Sequence, residues 1–454
     1  MFGGRRCHDY IASFSLFVLK RGMTVMEQFV IQGGQTLSGT VVPAGNKNAA
    51  QPLLAATLLT DEPVVLKNVP KIGDIACFIE ILRDLGVSVE ETDDHELTVC
   101  AAGLHKTALR TELCRKVRGS FMFAGPLLAR HGEAVIPRPG GDRIGRRRVD
   151  THLIALSHLG ADIHTNHIYG FKAPRGLKGA DIFLDERSVT GTENAVMAAS
   201  LAKGQTILRN AASEPHVQEL CHLINKMGGQ ISGIGTNELT IDGVDCLGGA
   251  THTIGPDYME VGSFIGLAGA TNSAIRIKDA APENMRKSLM VFNRLGLDVE
   301  IDGNDLVVPK YQKLEILPDV GDAIPRIDND PWPGFPPDLM SIAIVLATQA
   351  RGTVLFFEKM FEQRMYWLDR LIDMGAKIII CDPHRAVVVG PSKLYGEQLT
   401  SPDIRAGMAL IIAALCADGQ SVISNIEQID RGYENIDVRL RSLGAQIERV
   451  VVED

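Results

Sequence analysis

The sequence predicts an α/β protein of two similar domains, each built from three repeats of about 70 residues. Three observations carry that expectation. At 454 residues the chain exceeds what one hydrophobic core ordinarily holds. A Leu/Met-Gly pair recurs six times, as Leu85-Gly86, Leu159-Gly160, Met227-Gly228, Leu295-Gly296, Met374-Gly375 and Leu443-Gly444, with the glycine numbers differing by 74, 68, 68, 79 and 69. Each pair closes an amphipathic stretch and precedes an alternating one such as Val87-Ser88-Val89, which reads as helix, glycine cap and strand.

Residues 1–25 stand apart, because Arg5 and Arg6 precede an apolar run over 11–19 that imitates a signal peptide. Serines interrupt the run, Lys20 and Arg21 follow it, and it falls short of the ~20 residues of a membrane helix. It is read as a loose extension, with Met23 and Met26 as alternative starts. Residues 29–43 read as strands free to pair with the second half of the chain. The second domain would then be discontinuous, 26–46 with 256–454, around a first domain of 47–255. Six alanine-rich helices follow, at 48–59, 119–129, 194–202, 261–270, 339–350 and 406–417, with so little charge on any face that they should be buried all round. A short strand comes after each, at 63–66, 133–136, 205–208, 273–277, 353–357 and 421–424. The repeat unit is therefore buried helix, strand, loop, amphipathic helix, strand, and a cleft between the two lobes is the usual place for a site.

A formal charge of -9 argues against general affinity for nucleic acid or membrane surfaces. Eight cysteines are scattered without a CxxC pair or a His-rich metal spacing, so neither a structural metal nor a cofactor is expected. Against this acidic body, residues 138–150 concentrate three glycines and five arginines around Asp142. Glycines let main-chain N–H groups approach a ligand, and guanidinium forks match phosphate or carboxylate oxygens. A solvated basic loop is the plainer reading.

Position within the repeat weighs against that plainer reading. Lys47, Arg118, Arg147, Arg364, Arg405 and Arg431 all read as lying at or near helix starts, where the dipole disfavours a cation unless an anion is bound. The acids Asp74, Glu193, Glu260 and Glu283 read as ordinary caps. Trp332 and Phe335 either stack on a ligand or plug a proline-rich loop, and His152 either orients the arginine loop or is an ordinary hydrogen-bonded histidine.

Eight stretches give the chain a family resemblance: Gly45-Asn46-Lys47-Asn48-Ala49-Ala50, Gly140-Gly141-Asp142-Arg143-Ile144-Gly145, Ser188-Val189-Thr190-Gly191-Thr192-Glu193-Asn194, Glu214-Pro215, Phe335-Pro336-Pro337-Asp338, Phe361-Glu362-Gln363-Arg364, Asp403-Ile404-Arg405-Ala406 and Asp430-Arg431-Gly432-Tyr433-Glu434. The chain resembles the enolpyruvyl transferases from Met26 to Val451, most closely those acting on a nucleotide sugar. The resemblance implies a two-domain inside-out α/β barrel. It also implies transfer of the enolpyruvyl group of phosphoenolpyruvate to the 3-hydroxyl of UDP-N-acetylglucosamine, the first committed step of peptidoglycan precursor synthesis. Lys47, Arg147 and Arg431 would hold the phosphate, Arg364 and Arg405 the carboxylate, and Asn48 would lie beside them. Arg118, Arg147, Arg148, Val149, Asp150, Thr151, Ser188, Val189 and Met360 would line the nucleotide-sugar side. Asp338 would be the general base. Asp142 would donate the proton in place of the loop cysteine that many relatives carry and that fosfomycin attacks. The family further implies a cytoplasmic monomer or weak homo-oligomer with small-molecule partners only. Glu186, Tyr258 and Arg148 depart from the commoner lysine, arginine and proline, with Arg143, Arg146 and Arg148 as possible compensation. Two rivals follow: the same transfer to shikimate 3-phosphate, and a non-catalytic nucleotide-sugar-binding paralogue.

Overall fold

The protein is described by a computed structural model covering residues 25–142 and 144–453, so the expectations for the N-terminal extension before Val25 and for Arg143 lie outside the described residues. Each of the six predicted units forms its own sheet, five of four strands on one plan and the second unit's of three, where an isolated parallel bridge between Ala108 and Val135 stands in place of the edge strand. In the first unit the buried helix Lys47–Ala56 leads to strand Val64–Lys67, then helix Gly73–Leu85 leads to strand Ser88–Asp93. A return strand, Glu96–Cys100, pairs antiparallel with both strands and lies between them. The outer edge is strand Ala250–Thr253, parallel to Val64–Lys67 and delivered from the end of the third unit. The unit read from sequence thus lacked its return strand and its edge strand. Both are short, and the edge strands have no periodic pattern long enough to read.

Gly86, φ 97°, shows why the Leu/Met-Gly pair punctuates each unit. It takes the left-handed conformation that ends helix Gly73–Leu85, and its N–H bonds back to the carbonyl of Arg83. Gly160, Gly228, Gly296, Gly375 and Gly444 share the positive φ.

The expected strands near the start complete the far end of the chain. Strand Val25–Gln32 lies between Gln420–Ser424 and Gln446–Glu453, antiparallel to both, as the return strand of the sixth unit. Strand Ser38–Val41 is then the parallel edge of the fourth unit, against Ala274–Ile277. The chain crosses between the halves twice, at 44–46 and 255–257, and the crossings bond to each other: Asn46 N–H to the Gly255 carbonyl at 2.8 Å and Asp257 N–H to the Ala44 carbonyl at 2.8 Å.

Buried apolar side chains fall into two clusters, one within residues 49–254 and one within 29–41 and 258–447. In the second, helices Tyr258–Ala270, Met340–Gln349 and Ile404–Cys416 pack on one another and are buried almost throughout. Strands around them alternate buried and open residues, as in Gly352–Phe357, so one face of each sheet meets the helices. Helices inside and sheets outside is the arrangement the family resemblance implied. We call the two clusters the first and second lobes.

Candidate active site

Helix starts carry charge to the surface where the lobes meet. Asn46 caps helix Lys47–Ala56 by accepting the N–H groups of Asn48 and Ala49. Lys47, the first helical residue, is 9% exposed, and its Nζ donates to Asp74 Oδ2 at 3.1 Å. Asp74 Oδ1 accepts from Arg431 Nε at 2.8 Å. Arg431 Nη1 donates to Asp142 Oδ1 at 2.5 Å and to Gln428 Oε1 at 2.8 Å. Lys47, Asp74, Arg431 and Asp142 therefore form a chain of alternating charge that crosses from lobe to lobe. Burial alone would raise the Asp74 carboxyl, but Lys47 and Arg431 outweigh it and hold the group below the usual carboxylate range.

A second cluster belongs to the second lobe. Asp403 caps helix Ile404–Cys416, accepting the N–H groups of Arg405 and Ala406 at 2.8 and 2.9 Å, and so fixes Arg405 in the buried first turn. Glu358 Oε1 accepts the N–H groups of Met360 and Phe361 and shapes the segment leading to Arg364. Asp338 bridges the two arginines: Oδ1 accepts from Arg364 Nη2 at 2.5 Å and Oδ2 from Arg405 Nε at 3.0 Å. Burial opposes ionisation here too, yet Arg364, Arg405 and Lys47 keep Asp338 well below the usual range. Among the described residues Arg364 Nε and Arg405 Nη1 and Nη2 are buried with no hydrogen-bond partner, a costly condition that an incoming anion would relieve.

Arg147 stands between the clusters. Burial, then Arg118, pushes its guanidinium down to about 10, with Asp142 opposing from one cluster and Arg364 and Asp338 acting from the other. Arg118 Nη2 donates to the carbonyls of Arg147 and Arg148 at 2.7 and 3.0 Å. Beyond Asp142 the loop also reaches the second lobe, through Arg146 N–H to Glu362 Oε1 at 2.8 Å and Gln363 N–H to the Ile144 carbonyl at 3.1 Å. Gly145, at φ 128°, lies so close to the Glu362 carboxylate that a Cβ would collide with it.

The structure thus joins Lys47, Asp142 and Arg431, joins Asp338, Arg364 and Arg405, and buries Arg147 within electrostatic reach of both groups. Asn48 follows Lys47, half-buried. Three of the other expected positions meet at Asp185 or beside it: Arg148 donates to Asp150 at 2.7 Å and Asp185 at 2.8 Å, and Thr151 donates to Asp185 at 2.7 Å. Val149 precedes helix Asp150–His158, while Ser188 caps helix Val189–Ala199. Met360 is 38% exposed.

Several sequence-based expectations need correction. Arg431 does not begin a helix; it follows Glu427–Asp430, at a helix C-terminal end where the dipole favours a cation. Arg364 lies four residues ahead of helix Leu368–Asp373, too far for the dipole to act strongly. Asp74 and Glu260 stand in the first turns of their helices, as expected of acids there, but do not hold the cap positions, and Glu193 is not at a helix start. Ile72 holds the cap position before Asp74, and Glu193 lies well inside Val189–Ala199. Glu260 lies one turn past the Asp257 cap and is ion-paired with Arg439. Asp74, Asp185 and Glu362 are the residues the sequence reading missed in these roles. The signal for Asp74 was its place at the polar position of the first unit, opposite Lys47 and Arg431.

The open alternatives resolve toward packing. Phe335 is fully buried, and Trp332 packs on the core with its N–H on Glu214 Oε1 at 3.3 Å. His152 is held between Asn194 and Thr190, and burial pushes it down to about 3. Tyr258 is buried with its hydroxyl 3.3 Å from His216 Nδ1. Among the described residues no helix is long and apolar enough to cross a membrane.

The comparisons with known proteins agree with one another. Residues 31–440 match the family model described as EPSP synthase (3-phosphoshikimate 1-carboxyvinyltransferase). The UDP-N-acetylglucosamine 1-carboxyvinyltransferase of Treponema denticola is 54% identical over 423 residues, 93% of this chain and 99% of that one. The protein of the same name from Bradyrhizobium diazoefficiens is 53% identical, covering 93% and 98%. In fold, the chain is similar to the enolpyruvyl transferase NikO from Streptomyces tendae, with a TM-score of 0.84 at 22% identity over 94% of this chain and 100% of that one. The EPSP synthase of Acinetobacter baumannii gives 0.71 at 17% identity, covering 93% and 100%. With six repeated sheets, two charge clusters, the family model matched over residues 31–440 and these relatives, the chain belongs to the EPSP synthase family of enolpyruvyl transferases.

Proposed function

We propose that the protein transfers the enolpyruvyl group of phosphoenolpyruvate to the 3-hydroxyl of UDP-N-acetylglucosamine with release of phosphate, opening peptidoglycan precursor synthesis in the cytoplasm. The observation that carries this reading is the pair of buried arginines beside Asp338, of which Arg364 Nε and Arg405 Nη1 and Nη2 have no hydrogen-bond partner among the described residues. Such a pair fits the carboxylate of phosphoenolpyruvate, while Lys47, Arg147 and Arg431 suit its phosphate. Relatives about half identical over nearly the whole chain carry the nucleotide-sugar name, which favours that acceptor over shikimate 3-phosphate.

In this reading the sugar hydroxyl oxygen bonds to C2 of phosphoenolpyruvate and its proton passes to Asp338. The methylene carbon C3 takes a proton from Asp142 in its carboxylic acid form, which leaves the carboxylate paired with Arg431 and gives a tetrahedral intermediate. The bond from C2 to the phosphate oxygen then breaks, phosphate leaves, and return of a proton from C3 to the Asp142 carboxylate restores the double bond. Fixed cations around the reacting atoms lower the cost of bringing two anionic substrates together. Arg118, Arg148, Val149, Asp150, Thr151, Ser188, Val189 and Met360 are assigned to the nucleotide sugar.

The test is phosphate release from phosphoenolpyruvate with each acceptor. Release with UDP-N-acetylglucosamine and not with shikimate 3-phosphate is expected; the reverse would move the protein to the other branch. Tight nucleotide-sugar binding without turnover would make it a binding protein. With aspartate at position 142 the enzyme should resist fosfomycin, and Asp142→Cys should sensitise it. An active, still-resistant cysteine variant would count against the proton-donor role.

A further inference from the structure

The donor's carboxylate and Asp338 have claims on the same two guanidinium groups. Arg405 offers Nε to Asp338 and leaves the Nη1 and Nη2 fork without a partner; Arg364 offers Nη2 and leaves Nε. The Asp403 carboxylate lies within electrostatic reach of Arg364, but the hydrogen bonds its side chain accepts come from the N–H groups of Arg405 and Ala406. Among the described residues Asp338 is thus the one carboxylate bridging both cations. We propose that Asp338 is the resting counter-ion of the Arg364–Arg405 pair and competes with the carboxylate of the donor substrate, so that donor binding frees Asp338 to act on the acceptor hydroxyl. This deepens the proposed function and rests on it.

The physics is that of two like charges brought to one site. A carboxylate docked on the Arg405 fork lies beside a second carboxylate already held on the same guanidinium. Repulsion between them weakens the hold of the arginines on Asp338. An aspartate locked between two arginines is a poor proton acceptor, and the same carboxylate with its cations shared is a better one. The competition therefore links the base's readiness to the presence of the donor. It also makes a prediction opposite in sign to that of a residue that merely props up the arginines. Removing the negative charge of Asp338 abolishes turnover yet strengthens donor binding.

The experiment is calorimetric titration of phosphoenolpyruvate, without nucleotide sugar, into the wild type, Asp338→Asn and Asp338→Glu, with circular dichroism to establish folding. The asparagine variant should bind phosphoenolpyruvate about ten-fold tighter or more, the glutamate variant should not, and inorganic phosphate should gain far less. If the asparagine chain does not fold, Asp338→Ser takes its place. Unchanged or weaker binding in a folded neutral variant overturns the competition while leaving the proposed reaction standing. Phosphoenolpyruvate that binds neither the wild type nor any variant overturns the donor-site assignment and the competition with it.

Discussion

The two charge clusters differ in how completely they are satisfied. On the lobe-crossing side, Arg431 is held through Nε and Nη1 by Asp74, Asp142 and Gln428, and Lys47 is held by Asp74. On the second-lobe side, three guanidinium nitrogens of Arg364 and Arg405 are buried and bare. The first arrangement ties the Asp142 loop, the first lobe and the second lobe into one network. The second stores unmet hydrogen-bonding capacity where a substrate carboxylate would fit. One cluster thus contributes to stability as well as to the proposed chemistry, and the other contributes mainly to chemistry.

Substitutions should separate the two. The largest expected effect is on turnover: Arg405→Ala should lower phosphate release on the order of 10²–10³-fold, and a loss below ten-fold would sever the bare cluster from the reaction. Next comes stability. Asp74→Asn removes the shared anion of the satisfied cluster, leaves two cations facing each other, and should cost about 3–5 kcal/mol in denaturant unfolding at neutral pH. Because the folded-state value of Asp74 is depressed, its stabilisation is present above the usual carboxylate range of ~3.9 and is lost as pH falls through the lower folded value. The asparagine variant should therefore show a flatter loss of stability with acid than the wild type. Equal acid slopes would remove Asp74 from the account. The smallest effect is expected at Gly145→Ala, whose Cβ meets Glu362 and whose φ is unfavourable for alanine. Turnover should fall roughly ten-fold with the melting temperature almost unchanged; a large drop in melting temperature would mean that the loop is part of the structural core.

How much of this the sequence disclosed depended on repetition. Six copies of the Leu/Met-Gly pair made the helices and their following strands legible, because each copy corroborated the others. Return strands such as Glu96–Cys100 were not legible, being short and set just after a turn, and edge strands such as Asp181–Phe183 span only three residues. The cations were found from their position within the repeat, although Arg431 was found for a partly mistaken reason, since it ends a helix instead of beginning one. Asp74 was passed over because an acid early in a helix is usually explained by the dipole. Only the fold shows that its two oxygens are taken by Lys47 and Arg431, whose positions in the chain are far apart.

The central claim is that these clusters are two halves of one anion site, phosphate on one side and carboxylate on the other. The most direct measurement is calorimetric binding of inorganic phosphate and of phosphoenolpyruvate to Arg431→Gln and Arg405→Gln. Phosphate affinity should fall in Arg431→Gln and stay nearly unchanged in Arg405→Gln, while phosphoenolpyruvate affinity should fall in both. Equal sensitivity of inorganic phosphate to the two substitutions, or indifference of phosphoenolpyruvate to either, would contradict it.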